Sequence, residues 1–257
     1  MDPHSTWFDF LPGYAALREG LHDSMVRTWT WQVFQTTNFQ IVHVLMALVV
    51  LVFLSYGAFR YAGAVSGSGD AGLVPPPKLG MRNLFEVLAD TVLGLMAGVM
   101  GEKAAKRYLP LVGTLFMFIL FSNLLGLIPG FLPPTDTLKT NLALSISVFL
   151  ISHAVGVREH GLKYFKHFLG PIWWLAPLML PIELISHLAR PMSLAMRLMG
   201  NMASDHKVVA TFTMLVPILV PVPFLILGLL VVVVQTLVFC LLSMVYISMA
   251  VAHEEHH

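Results

Sequence analysis

Six polar residues stand between positions 183 and 205 of a chain otherwise built for lipid: Glu183, His187, Arg190, Arg197, Asn201 and Asp205. Their offsets from Glu183 are 0, 4, 7, 14, 18 and 22. At about 100° per residue, all six fall within an arc of roughly 80° on one helix. A bend at Pro191 need not scatter such a stripe. Carboxylates and imidazoles placed this way can pass protons, while a guanidinium keeps its charge at any realistic pH. Glue between helices needs only an amide or a serine, so two arginines on the stripe point to function. No acid lies beside Arg197 until Asp205. A charge pair at ~4 Å and an effective dielectric of ~20 is worth about 4 kcal/mol. That is enough to ionise a carboxyl that desolvation keeps protonated elsewhere. Arg197 therefore reads as a charge awaiting a carboxylate from another subunit.

A second polar face follows, with Gly228, Gln235 and Tyr246 at offsets 0, 7 and 18. An amide and a phenol there can hydrogen-bond water or the opposite stripe, although Tyr246 suits packing equally well. His43 reads as an edge residue of its span, and Ser193 as a hydroxyl bonded back to its own helix.

The elements that carry these faces are apolar helices. Of 257 residues, 57% are hydrophobic and 11% charged, against roughly 25% charged in a soluble domain. This is an all-α polytopic membrane protein by composition, with a mean hydropathy of +0.78. A net charge of +1 gives a nucleic-acid partner no support. The single Cys240 excludes an internal disulfide framework and reads as inert packing. The tail "HEEHH" has no second cluster to complete a metal site, and no cofactor is expected. An acidic, aromatic N-terminus argues against a cleavable signal.

About five membrane-crossing helices plus one amphipathic surface helix are expected, in a single membrane domain over 1–257. Residues 1–40 form the extracytoplasmic N-terminus and 41–59 the first span, long enough for a ~30 Å core. A Gly/Ser/Pro linker follows. Residues 78–107 hold the surface helix, with Glu86 and Asp90 four apart beside Arg82, and the basic loop "GEKAAKRY". A hairpin crossing is the competing reading of that helix. Residues 109–157 make a helical hairpin, and 171–252 two long tilted helices joined near "ASDHK". From Val208 to Ala252 there are 45 uncharged residues, far more than a perpendicular crossing uses. The segments 60–107 and 158–166 are basic, whereas the turn between spans holds only Lys139. Basic loops stay cytoplasmic, which puts the N-terminus outside and the C-terminus in the cytoplasm.

Four blocks carry a resemblance: "SNLLGLIPG", "PTDTLKTNLALSISVF", "PIELISHLARPMSLAMRLMGNM" and "QTLVFCLLSMVYISMA". In order and spacing the chain resembles subunit a of the F-type ATP synthases; residues before about 75 carry little of the likeness. The resemblance implies a proton-conducting stator in the bacterial inner membrane, whose tilted hairpin wraps a rotating c-subunit ring. The b-type peripheral stalk and the rest of the ATP synthase are implied as partners. It implies that Arg197 meets the ring carboxylate and prevents a proton short circuit between two aqueous half-channels. Glu183 and Ser186 resemble the inner half-channel, and His187 shares the stripe with Glu183. Asn201 and Gln235 resemble the outer one, and His206 takes a position where the family has Glu or His. The family usually pairs that position with an ionisable group seven residues before the glutamine, where this chain has Gly228. Asp205 is expected to fill the room left at Gly228 and restore a protonatable pair with His206. Gly126 stands at the family's acidic position in the "SNLLGLIPG" span.

The chain lacks a GxxxxGK[ST] phosphate loop, so a non-catalytic subunit is expected. A secondary transporter would need a substrate pocket and broken helices in both halves, and no repeat supports one. A mere anchor would tolerate Arg197→Ala. Sodium in place of protons would be decided mainly by the ring.

Overall fold

The computed structural model describes residues 12–14, 16, 19–20, 41–66, 80–128, 131–161, 164, 176–215 and 221–251. Six long helices account for most of them: α1 Ile41–Ser66, α2 Met81–Met100, α3 Glu102–Leu125, α4 Leu138–His160, α5 Ala176–Leu215 and α6 Pro221–Val251. There is no strand among the described residues. The linker before Gly80 and the tail after Val251, including "HEEHH", lie outside the described residues.

Five helices, α1 to α4 and α6, have the length and apolarity of a membrane span. α5 is longer than any of these but carries the polar stripe. The first helix runs on to Ser66, past the expected end of the span near Phe59, and its apolar stretch reaches Gly63. The segment "GEKAAKRY" is not a loop. It forms the start of α3, where Glu, Lys, Ala and Arg are good helix formers and Glu102 sits favourably in the first turn. The chain reverses instead at Gly101, whose φ of 79° lies in the left-handed region that favours glycine.

That reversal folds α2 back along α3. Phe85 of α2 stacks on Phe121 of α3 with 6.2 Å between centroids, and Phe53 of α1 meets the same Phe121 ring at 5.2 Å. Gly57 of α1 makes the approach possible, since a Cβ there would lie 2.5 Å from the Phe85 ring. In lipid, where burial gives helices little reason to associate, close approach at small residues and shared hydrogen bonds do the work.

A polar knot closes the other end of α3. Thr135, in the 3-10 turn Pro134–Asp136, donates to Asn123 Oδ1 at 2.5 Å. Asn141 of α4 donates to the Thr135 carbonyl at 2.7 Å, and Asn123 reaches Thr236 of α6 at 3.5 Å. Gly126 has a packing reason here, because a Cβ would lie 2.8 Å from the Pro133 ring. His43 is buried beside this turn.

The core runs between α2, α3, α5 and α6, with Met96, Val112, Ile119, Leu198, Phe239 and Ile247 fully covered. Cys240 is buried and free, as a packing residue should be. At 1.5 Å per residue, the 40 residues of α5 and 31 of α6 measure roughly 60 and 47 Å, well over the ~30 Å of hydrocarbon. The expected join near "ASDHK" is corrected: α5 continues through those residues to Leu215. Polarity alone does not end a helix, whereas the prolines at 217, 221 and 223 do punctuate the chain.

Candidate functional site

The polar stripe of α5 faces α6, and the two helices match antiparallel. Arg190 lies over the Tyr246 ring, 5.6 Å from its centroid. Eleven residues further along α5, Asn201 donates to Gln235 Oε1 at 2.7 Å, eleven residues back along α6. Four residues on, Asp205 meets Gly228. The Gly228, Gln235 and Tyr246 face therefore meets the stripe at all three of its positions.

At the end of the bundle carrying the 158–166 segment, α4, α5 and α6 enclose a cavity of about 60 Å³. A single water needs only about 10 to 15 Å³ of such space. Glu183 and His187 form part of the wall, with His187 Nε2 3.1 Å from Glu183 Oε1. Neither Glu nor His at i and i+4 is isolated, since the pair shares one turn of helix. Arg190 and Tyr246 close another side. Ser186, by contrast, is exposed on α5.

At the opposite end a glycine and an acid exchange space. A Cβ built on Gly228 would fall 2.6 Å from Asp205 Oδ2 and 3.0 Å from the Leu127 side chain. The carboxylate of Asp205 thus occupies the place that a side chain at position 228 would take. His206 follows in α5, its side chain lying outside the described residues.

Between these ends stands Arg197. It is exposed on α5 and forms no ion pair among the described residues, whose salt bridges join Arg82 to Glu86, Arg107 to Glu159 and His187 to Glu183. Ser193, Gly200 and Asn201 are its neighbours one turn away, and nothing lies within 4 Å of a Cβ at Gly200. Exposed Met192 and Met196 continue the apolar surface around it. A fixed cation with open space beside it can receive an incoming carboxylate.

Residues 41–248 match the model of the family described as ATP synthase A chain. The chain belongs to that family, the a subunits of the F-type ATP synthases. It is 55% identical over 187 residues to "ATP synthase subunit a 2" of Syntrophotalea carbinolica, covering 73% of this chain and 77% of the relative. To "ATP synthase subunit a" of Geobacter sulfurreducens it is 51% identical over 169 residues, 66% of this chain and 73% of the relative. To that of a Sulfurihydrogenibium species it is 42% identical over 214 residues, 83% and 99% of the two. ATP synthesis and proton transport through the Fo sector are the work of this family.

For a subunit a, the fold collects the sequence candidates into two clusters with the arginine between. Glu183, His187 and Tyr246 gather at the cavity, and Asn201, Gln235 and Asp205 lie beyond Arg197. Sequence reasoning missed the part played by α4, which lines the cavity with Ser145, Ser152 and His153. A signal was present: Asn141, Ser145, Val148, Ser152 and Gly156 recur every three or four residues and are all buried. A stripe of small and polar residues in an apolar helix marks the face that meets other helices.

Proposed function

We propose that the chain is the proton-conducting stator of its ATP synthase, loading and unloading the carboxylates of a rotating c-ring through two half-channels. Protons enter from outside past Asn201, Gln235, Asp205 and His206 and neutralise a ring carboxylate, which can then cross lipid. The carboxylate later reaches Arg197 and yields its proton past Glu183, Ser186, His187 and Tyr246 to the cytoplasm. Each charge crossing 100 mV releases about 2.3 kcal/mol, so several protons must pass for each ATP made by the catalytic partners. The stator itself binds no nucleotide, having no phosphate loop, and b-type stalk subunits hold it against the turning ring.

The observation that carries this reading is Arg197: exposed, without an ion pair among the described residues, and set between two polar clusters on one stripe. An arginine on an apolar surface with open space beside it needs a visiting anion. The two basic segments support an orientation with the N-terminus outside and the C-terminus inside, and the family resemblance supports the bacterial inner membrane. Both segments lie on one side only if α2 adds no complete crossing, since α3 and α4 carry the chain across and back. Five crossings then remain.

The deciding experiment is a cross-link. With Cys240→Ala as background, Met196→Cys should form a disulfide with a cysteine placed beside the c-subunit carboxylate in membrane vesicles. A cysteine at Met196 that reacts with no c subunit in the assembled complex removes the stator reading.

A further inference from the structure

The cavity at the 158–166 end includes a histidine to which the proton path above gives no part. His153 projects into it from α4, seven residues before the end of that helix at His160. Its ring lies edge-on to that of His187 on α5, with 5.2 Å between centroids and 79° between planes. His153 Nδ1 is 2.9 Å from the Phe149 carbonyl oxygen. A carbonyl only accepts, so Nδ1 carries the N–H and the neutral ring keeps Nε2 as its basic nitrogen. His187 is bonded through Nε2 to Glu183, which assigns the second ring of a chain running His153, His187, Glu183 across two helices.

Ser152 Oγ is 3.5 Å from His153 Nδ1. The Phe149 ring lies 4.1 Å away, and Tyr164 stands edge-on at 5.9 Å. Tyr164 is held there by Gly156, since a Cβ at that position would run into the tyrosine ring. Arg190, over Tyr246, supplies the fixed charge of the wall. A phenylalanine at 153 would serve packing against Phe149 and Tyr164 without the cost of desolvating an imidazole. Histidine has a use here only if its second nitrogen does.

We propose that His153 is a proton carrier of the inner half-channel, passing protons between the His187–Glu183 pair and the water beyond the end of α4. The proposal rests on the half-channel reading above. Uptake of a proton at Nε2 gives the imidazolium, and its loss to water restores the neutral ring, so only a proton changes hands. Two imidazoles at this separation are within reach of a hydrogen bond or of one bridging water.

Proton conduction through Fo tests this in inner-membrane vesicles stripped of the catalytic sector and driven by a potassium diffusion potential. His153→Phe, with the complex still assembled, should slow conduction by roughly tenfold to a hundredfold, the lower range for a positioned proton-transfer group. His153→Ala should be slowed as well and should recover most of its rate when imidazole is added, whereas His153→Phe, with the space filled, should not recover. A merely structural histidine would give no rescue by a free buffer. Conduction at the unmodified rate in His153→Phe, or a His153→Ala deficit that imidazole leaves unchanged, overturns the proposal. Glu183→Gln separates the two readings. If it blocks conduction while His153→Phe conducts normally, His153 alone is out of the path. If Glu183→Gln conducts normally, the inner half-channel falls and His153 with it.

Discussion

The two ends of the α5–α6 hairpin house an acid in different ways. Glu183 sits in the wall of a cavity, bonded to His187 and faced by groups from α4 and α6. Asp205 is half-buried in a different setting. It lies against a glycine on the opposite helix, in space that a side chain at 228 would otherwise fill. The first arrangement depends on three helices contributing polar walls, and the second on two helices trading volume. The comparison teaches that one place in space between α5 and α6 can be filled by a side chain from either helix. Arg197 lies between, about 21 Å from Glu183 and about 12 Å from Asp205 along the helix.

The largest effect is expected at the residue the two ends share. Arg197→Ala should reduce ATP synthesis and ATP-driven proton pumping in vesicles to background while leaving the complex assembled. Nothing else near this point on the stripe carries a fixed charge to hold or release a carboxylate. Coupled pumping at even a tenth of the unmodified rate would mean that the two ends communicate without the arginine, and the comparison would lose its centre.

Asp205→Gly comes next and breaks the turn end alone. It should abolish ATP-driven pumping, because no other acid occupies that space among the described residues. The trade of volume predicts more: Asp205→Gly combined with Gly228→Asp should recover a measurable part of the activity, since the carboxyl returns to nearly the same place. Gly228→Asp by itself should fail, as its Cβ would meet the Asp205 carboxylate at 2.6 Å. A double variant no better than Asp205→Gly would show that the carrying helix matters and not only the location.

An intermediate effect belongs to Asn201 and Gln235. Gln235→Leu removes the acceptor of a 2.7 Å hydrogen bond and leaves an amide in apolar surroundings. Such bonds between membrane helices contribute about 0.6 to 1.7 kcal/mol, which corresponds to a severalfold fall in pumping rather than its loss. Abolition would mean that the amide relays protons itself, beyond holding α5 and α6 together beside their path.

The stripe on α5 was legible because its charges stand out from an apolar background and helical periodicity gathers them on one face. The match of Gly228 to Asp205 came from the resemblance instead: the family usually has an ionisable group where this chain has Gly228, and a small residue where it has Asp205. Other features needed the third dimension. The break between the long helices was placed near "ASDHK" because polar residues suggest a loop, yet α5 runs through them unbroken. "GEKAAKRY" misled in the same way, being charged and helical at once. The role of α4 was missed although its stripe of small and polar residues marks a helix-facing side, since His153 acquires meaning only when α5 packs against it. Charge alone could not reveal which loops are loops.

The smallest effect tests whether charge near the cavity end matters in general or only inside the cavity. Arg107 of α3 pairs with Glu159 of α4 at 2.6 Å. Both side chains are substantially exposed, at 48% and 32%, and exposed ion pairs contribute only about 0 to 1 kcal/mol. Arg107→Ala should therefore change ATP-driven pumping by less than about twofold, with a correspondingly small change in thermal inactivation of the detergent-extracted complex. Glu183→Gln, one carboxylate away on the same end of the bundle, should by contrast stop proton release. If Arg107→Ala proves as damaging as Glu183→Gln, that end acts through its surface field, and the enclosure of Glu183 would no longer distinguish it from Asp205.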